Sequence, residues 1–173
     1  TTANANTAIG NNSLAANTTG SSNSAVGSGA LAANTTASNN TAVGYNALTA
    51  DTLGSKSLAI GTNALNAQNF TTATDVYNVA VGFQAGLAVT IGVQNTLIGG
   101  LAGDALTDAD FNVALGHTAL GSDTLGSRSI AIGHTALGAQ NFTTATNAYN
   151  VGVGHNAGGA ITTGVNNTLM GGL

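Results

Sequence analysis

Asn40-Thr41-Ala42-Val43-Gly44-Tyr45-Asn46-Ala47-Leu48 is a phrase that this chain states ten times over. Its opening returns as Asn6-Thr7-Ala8-Ile9-Gly10, Asn23-Ser24-Ala25-Val26-Gly27, Asn95-Thr96-Leu97-Ile98-Gly99, Asn112-Val113-Ala114-Leu115-Gly116 and Asn167-Thr168-Leu169-Met170-Gly171. Ser57 and Ser129 replace the Asn in the copies ending at Gly61 and Gly133, and two more copies end at Gly82 and Gly154. The anchor glycines are spaced 17, 17, 17, 21, 17, 17, 17, 21 and 17 residues apart. That pattern is a super-repeat of 72 residues, in which 44–101 aligns without gaps on 116–173 at about two-thirds identity. Self-similarity at a fixed period is the signature of a repeat architecture and is read before any local propensity.

Composition narrows the class. One Lys, one Arg, six Asp and no Glu give a net charge of −4. Nucleic acid and anionic membrane surfaces both call for a basic face, so neither is an expected partner. Without Cys there are no disulfides, and no apolar run is long enough to span a bilayer, so membrane insertion is not expected. The chain does not open on Met and reads as part of a longer protein, 1–173 being one repeat domain. Abundant Gly, Asn, Ser and Thr suggest disorder, but disordered tracts do not hold apolar residues in strict register across ten copies. The apolar content of 43% is that of a globular protein.

Gly and Asn interrupt any helix within two or three turns. Thr-Ala-Val-Gly and Ala-Leu read instead as two short strands, so each unit predicts one flattened coil of an all-β parallel solenoid. Stacking puts equivalent residues about 4.8 Å apart, and ten coils span roughly 50 Å. Ile9, Val26, Val43, Ile60, Val81, Ile98, Leu115, Ile132, Val153 and Met170 then form one apolar ridge, and Leu14, Leu31, Leu48, Leu65, Leu120 and Leu137 a second column. The Asn column is expected to bond side chain to side chain up the stack. So thin a coil leaves apolar residues outside its own core, which predicts burial against identical neighbours in a parallel homotrimer. The packing argument asks for closure and does not itself set the number at three.

The phrase Asn-Thr-Ala-Val-Gly-x-x-Ala-Leu resembles the head repeats of trimeric autotransporter adhesins (the YadA-like β-roll). It resembles still more the arrays of phage tail-fibre proteins and of tail-fibre-like bacterial surface proteins. The resemblance runs from about Ala5 to Leu173. It implies a left-handed parallel β-roll, three chains side by side, and a place at the outer part of a fibre that attaches to cells. The 21-residue units depart from the adhesin heads and favour the tail-fibre side.

Along the chain, residues 1–5 lead in, and 6–56 hold three regular coils. The first long unit carries its extra residues within 66–77, around Phe70 and Tyr77; the second carries Phe142 and Tyr149. Insertions bulge from one side of a solenoid, often the binding face. These four aromatics read either as plugs between chains or as receptor contacts. The position after each anchor glycine reads Asn11, Ser28, Tyr45, Thr62, Phe83, Gly100, His117, His134, His155, Gly172. Three stacked imidazoles could share an ion, but Thr, Ser and Asn in the same column fit a solvated turn. A glycan contact through Tyr45, Phe83, His117, His134 and His155 is the functional alternative. Lys56 and Arg128 each follow an Asp by five residues (Asp51, Asp123), which suggests a surface ion pair. Asp104, Asp108 and Asp110 match no EF-hand spacing. No metal, cofactor or catalytic residue is expected.

The sequence therefore predicts a structural and adhesive segment of an extracellular trimeric fibre, on a virion tail or a bacterial surface, that meets a cell-surface glycan or other receptor. An ice-binding solenoid is one alternative, although its Thr column is broken: Thr7, Ser24, Thr41, Leu58, Val79, Thr96, Val113, Ile130, Gly152, Thr168. A polysaccharide-cleaving tailspike relying on Asp108 and Asp110 is the other.

Overall fold

The computed structural model describes residues 3–172. Thr1 and Thr2 of the expected lead-in, and Leu173 at the end of the super-repeat, lie outside the described residues. Ten strands of three residues form one parallel sheet in chain order: Thr7–Ile9, Ser24–Val26, Thr41–Val43, Leu58–Ile60, Val79–Val81, Thr96–Ile98, Val113–Leu115, Ile130–Ile132, Val151–Val153 and Thr168–Met170. Thr7 faces Ser24, Thr41 faces Leu58, and Leu58 faces Val79 across a long unit. The chain is an all-β solenoid of about ten coils, with no helix among the described residues.

Each coil has one main strand, where the sequence predicts two. Ala47 and Leu48 are consecutive and both fully buried; a strand would turn one of them outward. They sit in a turn instead. Ala47 N donates back to Gly44 O within the coil, while Leu48 N donates to Ala64 O in the next at 2.9 Å. Leu48 has φ +50°, and Leu14, Leu31, Leu65, Leu120 and Leu137 have φ between +48° and +54°. The left-handed conformation costs a leucine roughly 1–2 kcal/mol. Full burial of its side chain contributes about 2–3 kcal/mol, so the turn is held by its own core residue. At the anchor, Gly44 has φ +136°, and a Cβ there would lie 2.6 Å from the Gly61 carbonyl carbon, so backbone of one coil sits directly on backbone of the next.

Three-residue strands also decide which apolar column is inside. The middle residue points inward, so Ala25, Ala42, Ala59, Ala80, Leu97, Ala114 and Ala131 are fully buried. The Val/Ile column is displaced by one position and lies on the outer surface of the sheet: Ile9, Val43, Ile60, Leu115 and Met170 are exposed. The apolar ridge exists, but it faces out. The same register corrects the broken Thr column: Val151, not Gly152, lies opposite Thr168. Gly152 takes the inward position, where a Cβ would lie 2.9 Å from Leu137 Cγ.

The Asn column is buried and bonds to backbone rather than side chain to side chain. Asn40 Nδ2 donates across the coil to Gly54 O at 2.8 Å, and its Oδ1 accepts from Ser57 N in the next coil at 2.8 Å. Asn23, Asn78, Asn95 and Asn112 repeat both contacts. Among the described residues of this column, Asn167 to Asn150 is the one pair of Asn side chains bonded to each other. Where Ser57 and Ser129 interrupt the column, Gln68 and Gln140 restore it. Gln68 Nε2 donates to Ser57 Oγ at 3.1 Å, and its Oε1 accepts from Asn78 Nδ2 at 2.9 Å; Gln140 does the same with Ser129 and Asn150.

Asp51 and Asp123 are fully buried and are not partners of the cations. Asp51 accepts from Gly54 N, Phe70 N and Gln68 Nε2, and Asp123 from Gly126 N, Phe142 N and Gln140 Nε2. Burial raises the Asp51 carboxyl above the usual range, against the opposing hydrogen bonds from Gln68 and the Phe70 and Gly54 amides. Asn34 Oδ1 is the one buried side-chain polar atom among the described residues with no partner.

Candidate functional site

Nine side chains stand out in the sequence as candidate contacts, and the coil distributes them over three environments. Phe70 and Phe142 are 6% and 5% exposed and cannot present a face to a receptor. They lie beneath the inserted segments, beside Asp51 and Asp123, whose carboxylates take their amides. Here they fill space within one chain, whereas the sequence suggests plugs between chains. Above them Thr71, Thr72 and Ala73, and Thr143, Thr144 and Ala145, are exposed. Small two-residue strands, Gly54–Ser55 with Thr74–Asp75 and Gly126–Ser127 with Thr146–Asn147, clamp the base of each insertion.

The second environment is the ladder just after the anchor glycines, at the C-terminal end of the strands. Tyr45 and Phe83 are 56% and 55% exposed, with Thr62 on the coil between them. His117, His134 and His155 form a continuous exposed stack, with ring centroids 5.4 and 5.2 Å apart and planes within 8° of parallel. A shallow groove nearby is lined by Gly121, Gly138 and Gly159 with Thr118, Thr135, Asn156 and Asp104. The Thr118 and Thr135 hydroxyls donate to the His117 and His134 carbonyls. Partial burial holds the Asp104 carboxyl above its ordinary range, against a backbone hydrogen bond and the pull of His117. Among the described residues, no group of three His, Asp or other ligating side chains is placed to hold a metal ion.

The third environment is a corner at the N-terminal end of the strands. Ala5, Ser22, Asn39, Lys56, Tyr77, Gln94, Phe111, Arg128, Tyr149 and Asn166 stack there, all with φ between +52° and +65°. From Lys56 to Tyr149 this ladder mixes the chain's two cations with three aromatic rings, and all of its members are exposed. Lys56 Nζ lies 2.6 Å from Asp75 and 3.1 Å from Tyr77 Oη, and 5.1 Å from the Tyr77 ring centre. Arg128 lies 4.6 Å from the Phe111 ring centre and 5.9 Å from that of Tyr149, while its Nε donates to Asn147 Oδ1 at 3.0 Å. Tyr77 and Tyr149 are thus brought together with Lys56, Phe111 and Arg128, three residues the sequence does not single out as contacts. Their signal is simple: each stands immediately before the Asn or Ser that opens a phrase.

The acidic run does not assemble. Asp110 Oδ1 accepts from Val93 N at 2.8 Å and Asp110 N donates to Ser127 Oγ, so the residue serves as a rung between coils; Asp108 is exposed. A further ladder carries threonines: the hydroxyls of Thr18, Thr35, Thr90 and Thr107 donate to carbonyls one coil on. No helix among the described residues is long and apolar enough to cross a membrane. No protein-family model, no curated protein and no solved structure matches the chain.

Proposed function

We propose that this chain is a structural and adhesive segment of an extracellular fibre, three copies side by side as a left-handed β-roll, from a phage tail fibre or a tail-fibre-like bacterial surface protein. The observation that carries the proposal is the outer face of the ten-stranded sheet. One outward column is apolar on every coil, from Ile9 through Val43, Ile60 and Ile98 to Met170, while the other carries Leu58, Val79, Val113, Ile130 and Val151 with Thr7, Ser24, Thr41, Thr96 and Thr168 at its remaining places. An unbroken apolar column of this length marks an interaction surface, and copies of the same chain cover it with closed symmetry. Handedness and the number three come from the likeness of the repeat to fibre proteins.

The rest of the molecule suits mechanical work. Backbone bonds run from coil to coil along the whole axis, and the buried Asn and Gln ladders close each coil without disulfides. Of the two carboxylates that a polysaccharide-cleaving reading needs, Asp110 holds Val93 N while Asp108 is exposed, and Asp51 and Asp123 are enclosed. A binding role is therefore favoured over a polysaccharide-cleaving one. Ice binding is less favoured because the outward Thr column is interrupted by Leu58, Val79, Val113, Ile130 and Val151, so no regular array of hydroxyls runs along the sheet. Labelled protein applied to an array of cell-surface polysaccharides tests the reading. The expected result is retention on some glycans that falls about a hundredfold when Val43→Asp and Ile60→Asp break the assembly, because three linked weak sites bind far better than one. Equal retention by that variant, or none by the native chain, contradicts it.

A further inference from the structure

The two halves of the super-repeat place equivalent groups at the third environment, and they differ in one charge. In the first half the corner holds Lys56, Asp75 and Tyr77; in the second it holds Arg128, Asn147 and Tyr149. Lys56 is neutralised by Asp75 at 2.6 Å. The Asp-to-Asn difference removes that carboxylate from Arg128 but keeps an amide oxygen, which takes Nε at 3.0 Å. Among the described residues, no carboxylate lies within ion-pair distance of Arg128 and its Nη atoms make no hydrogen bond. Asp110, one residue before Phe111, directs its carboxylate to Val93 N instead.

The guanidinium is therefore oriented and left uncommitted. Phe111 and Tyr149, on the coils before and after, flank it, and Nε is fixed by Asn147. What remains is the planar edge of the two Nη groups, the geometry that takes a carboxylate through two parallel hydrogen bonds. The surroundings are rich in amide and hydroxyl groups, Gln94, Thr146, Asn147 and Asn166, and the nearby Asp110 carboxylate is turned to Val93 N. Phe111 and Tyr149, on either side of Arg128, offer apolar ring surface to a sugar that pairs with the guanidinium. With a net charge of −4 the chain offers an acidic polymer one uncommitted guanidinium, so contact is expected at single carboxylate groups rather than along a continuous charged track.

We propose that the Arg128 corner, with Phe111, Asn147 and Tyr149, is a subsite for a carboxylate-bearing sugar of an acidic surface polysaccharide. The proposal rests on the adhesive reading above and names its ligand class. The corner borders the apolar sheet face at the N-terminal ends of the strands, so it stays at the solvated rim when that face is covered.

The test is binding of the full chain to immobilised polygalacturonate, with dextran as the neutral control, at low and at moderate salt. The native chain is expected to be retained on polygalacturonate, less so at moderate salt, and not on dextran. Arg128→Gln is expected to weaken retention by about tenfold or more. Asn147→Asp is expected to do the same, by giving Arg128 the internal partner that Lys56 already has. Asp75→Asn is expected to strengthen retention by freeing Lys56. All three positions are exposed, and an unchanged melting temperature shows that the fold is kept. Retention unaffected by Arg128→Gln and Asn147→Asp, or equal retention on dextran, overturns the subsite. A non-trimeric solution mass would instead count against the fibre reading, while the contrast between Arg128 and its variants would still decide this one.

Discussion

Asp51 shows how a single residue links this fold to solution conditions. It is an acid in a column that holds Asn17 and Asn34 on earlier coils and Gln68 on the next, and its carboxyl is raised by burial. The folded protein thus holds this proton more tightly than the unfolded chain does. By linkage, the stability from that proton is complete below the unfolded value and is lost as pH rises through the raised folded value. Melting curves between pH 3 and 8 check this. The native chain should lose stability over that rise more steeply than Asp51→Asn, which keeps an oxygen for the Gly54 and Phe70 amides but does not titrate. Identical slopes would contradict the assignment. Nothing in the sequence marks Asp51 as buried; its distance of five residues from Lys56 points to a surface pair. The decisive fact is the neighbouring coil, where Gln68 and Phe70 supply donors, and such partners are set by stacking rather than by proximity in the chain.

At the scale of the coil, the core is held to constant volume by exchange between positions. Most coils place Ala inward on the strand, Leu at the left-handed turn, and a polar residue three positions later: Ala42, Leu48 and Asp51, or Ala59, Leu65 and Gln68. Gly86 and Gly103 replace that Leu, and Val89 and Leu106 then fill the third position. Leu97 enlarges the strand position between them. A Cβ on Gly103 would lie 2.8 Å from Leu97 Cδ2 and 2.9 Å from Leu106 Cδ1. Gly103→Leu is therefore expected to destabilise the chain by about 2–3 kcal/mol through overpacking. Adding Leu97→Ala should cost less than its own cavity penalty, giving a coupling energy of about 1 kcal/mol or more. Strict additivity in urea unfolding would show that these positions do not share one space. Coil number and anchor glycines were legible from the repeat period, and so was the register except at Val151, which takes the place that the sequence reading assigns to Gly152. The second strand was not, because Ala-Leu pairs look extended until both residues prove to be inside, and the repeat alone does not say on which side of the sheet the Val/Ile ridge lies. Tyr77 and Tyr149 were legible as outliers in composition. The ladder joining them to Arg128 and Phe111 was not, since it depends on a left-handed corner that only Ala5, Ser22, Asn39 and their equivalents reveal together.

At the scale of the molecule, the outer side of the sheet carries an apolar column on every coil, and both of its borders carry exposed ladders. The His stack and its groove lie at the C-terminal ends of the strands, and the Arg128 corner at the N-terminal ends. A single chain leaves Ile9, Val43, Ile60, Leu115 and Ile130 in water, which accords with a segment that works only when assembled. The central claim is that this side is an interface between copies. Sedimentation equilibrium across a dilution series tests it most directly. The account predicts three times the chain's 16.6 kDa, persisting on dilution and lost in the Val43→Asp, Ile60→Asp variant; a stable mass of one chain at every concentration would contradict it.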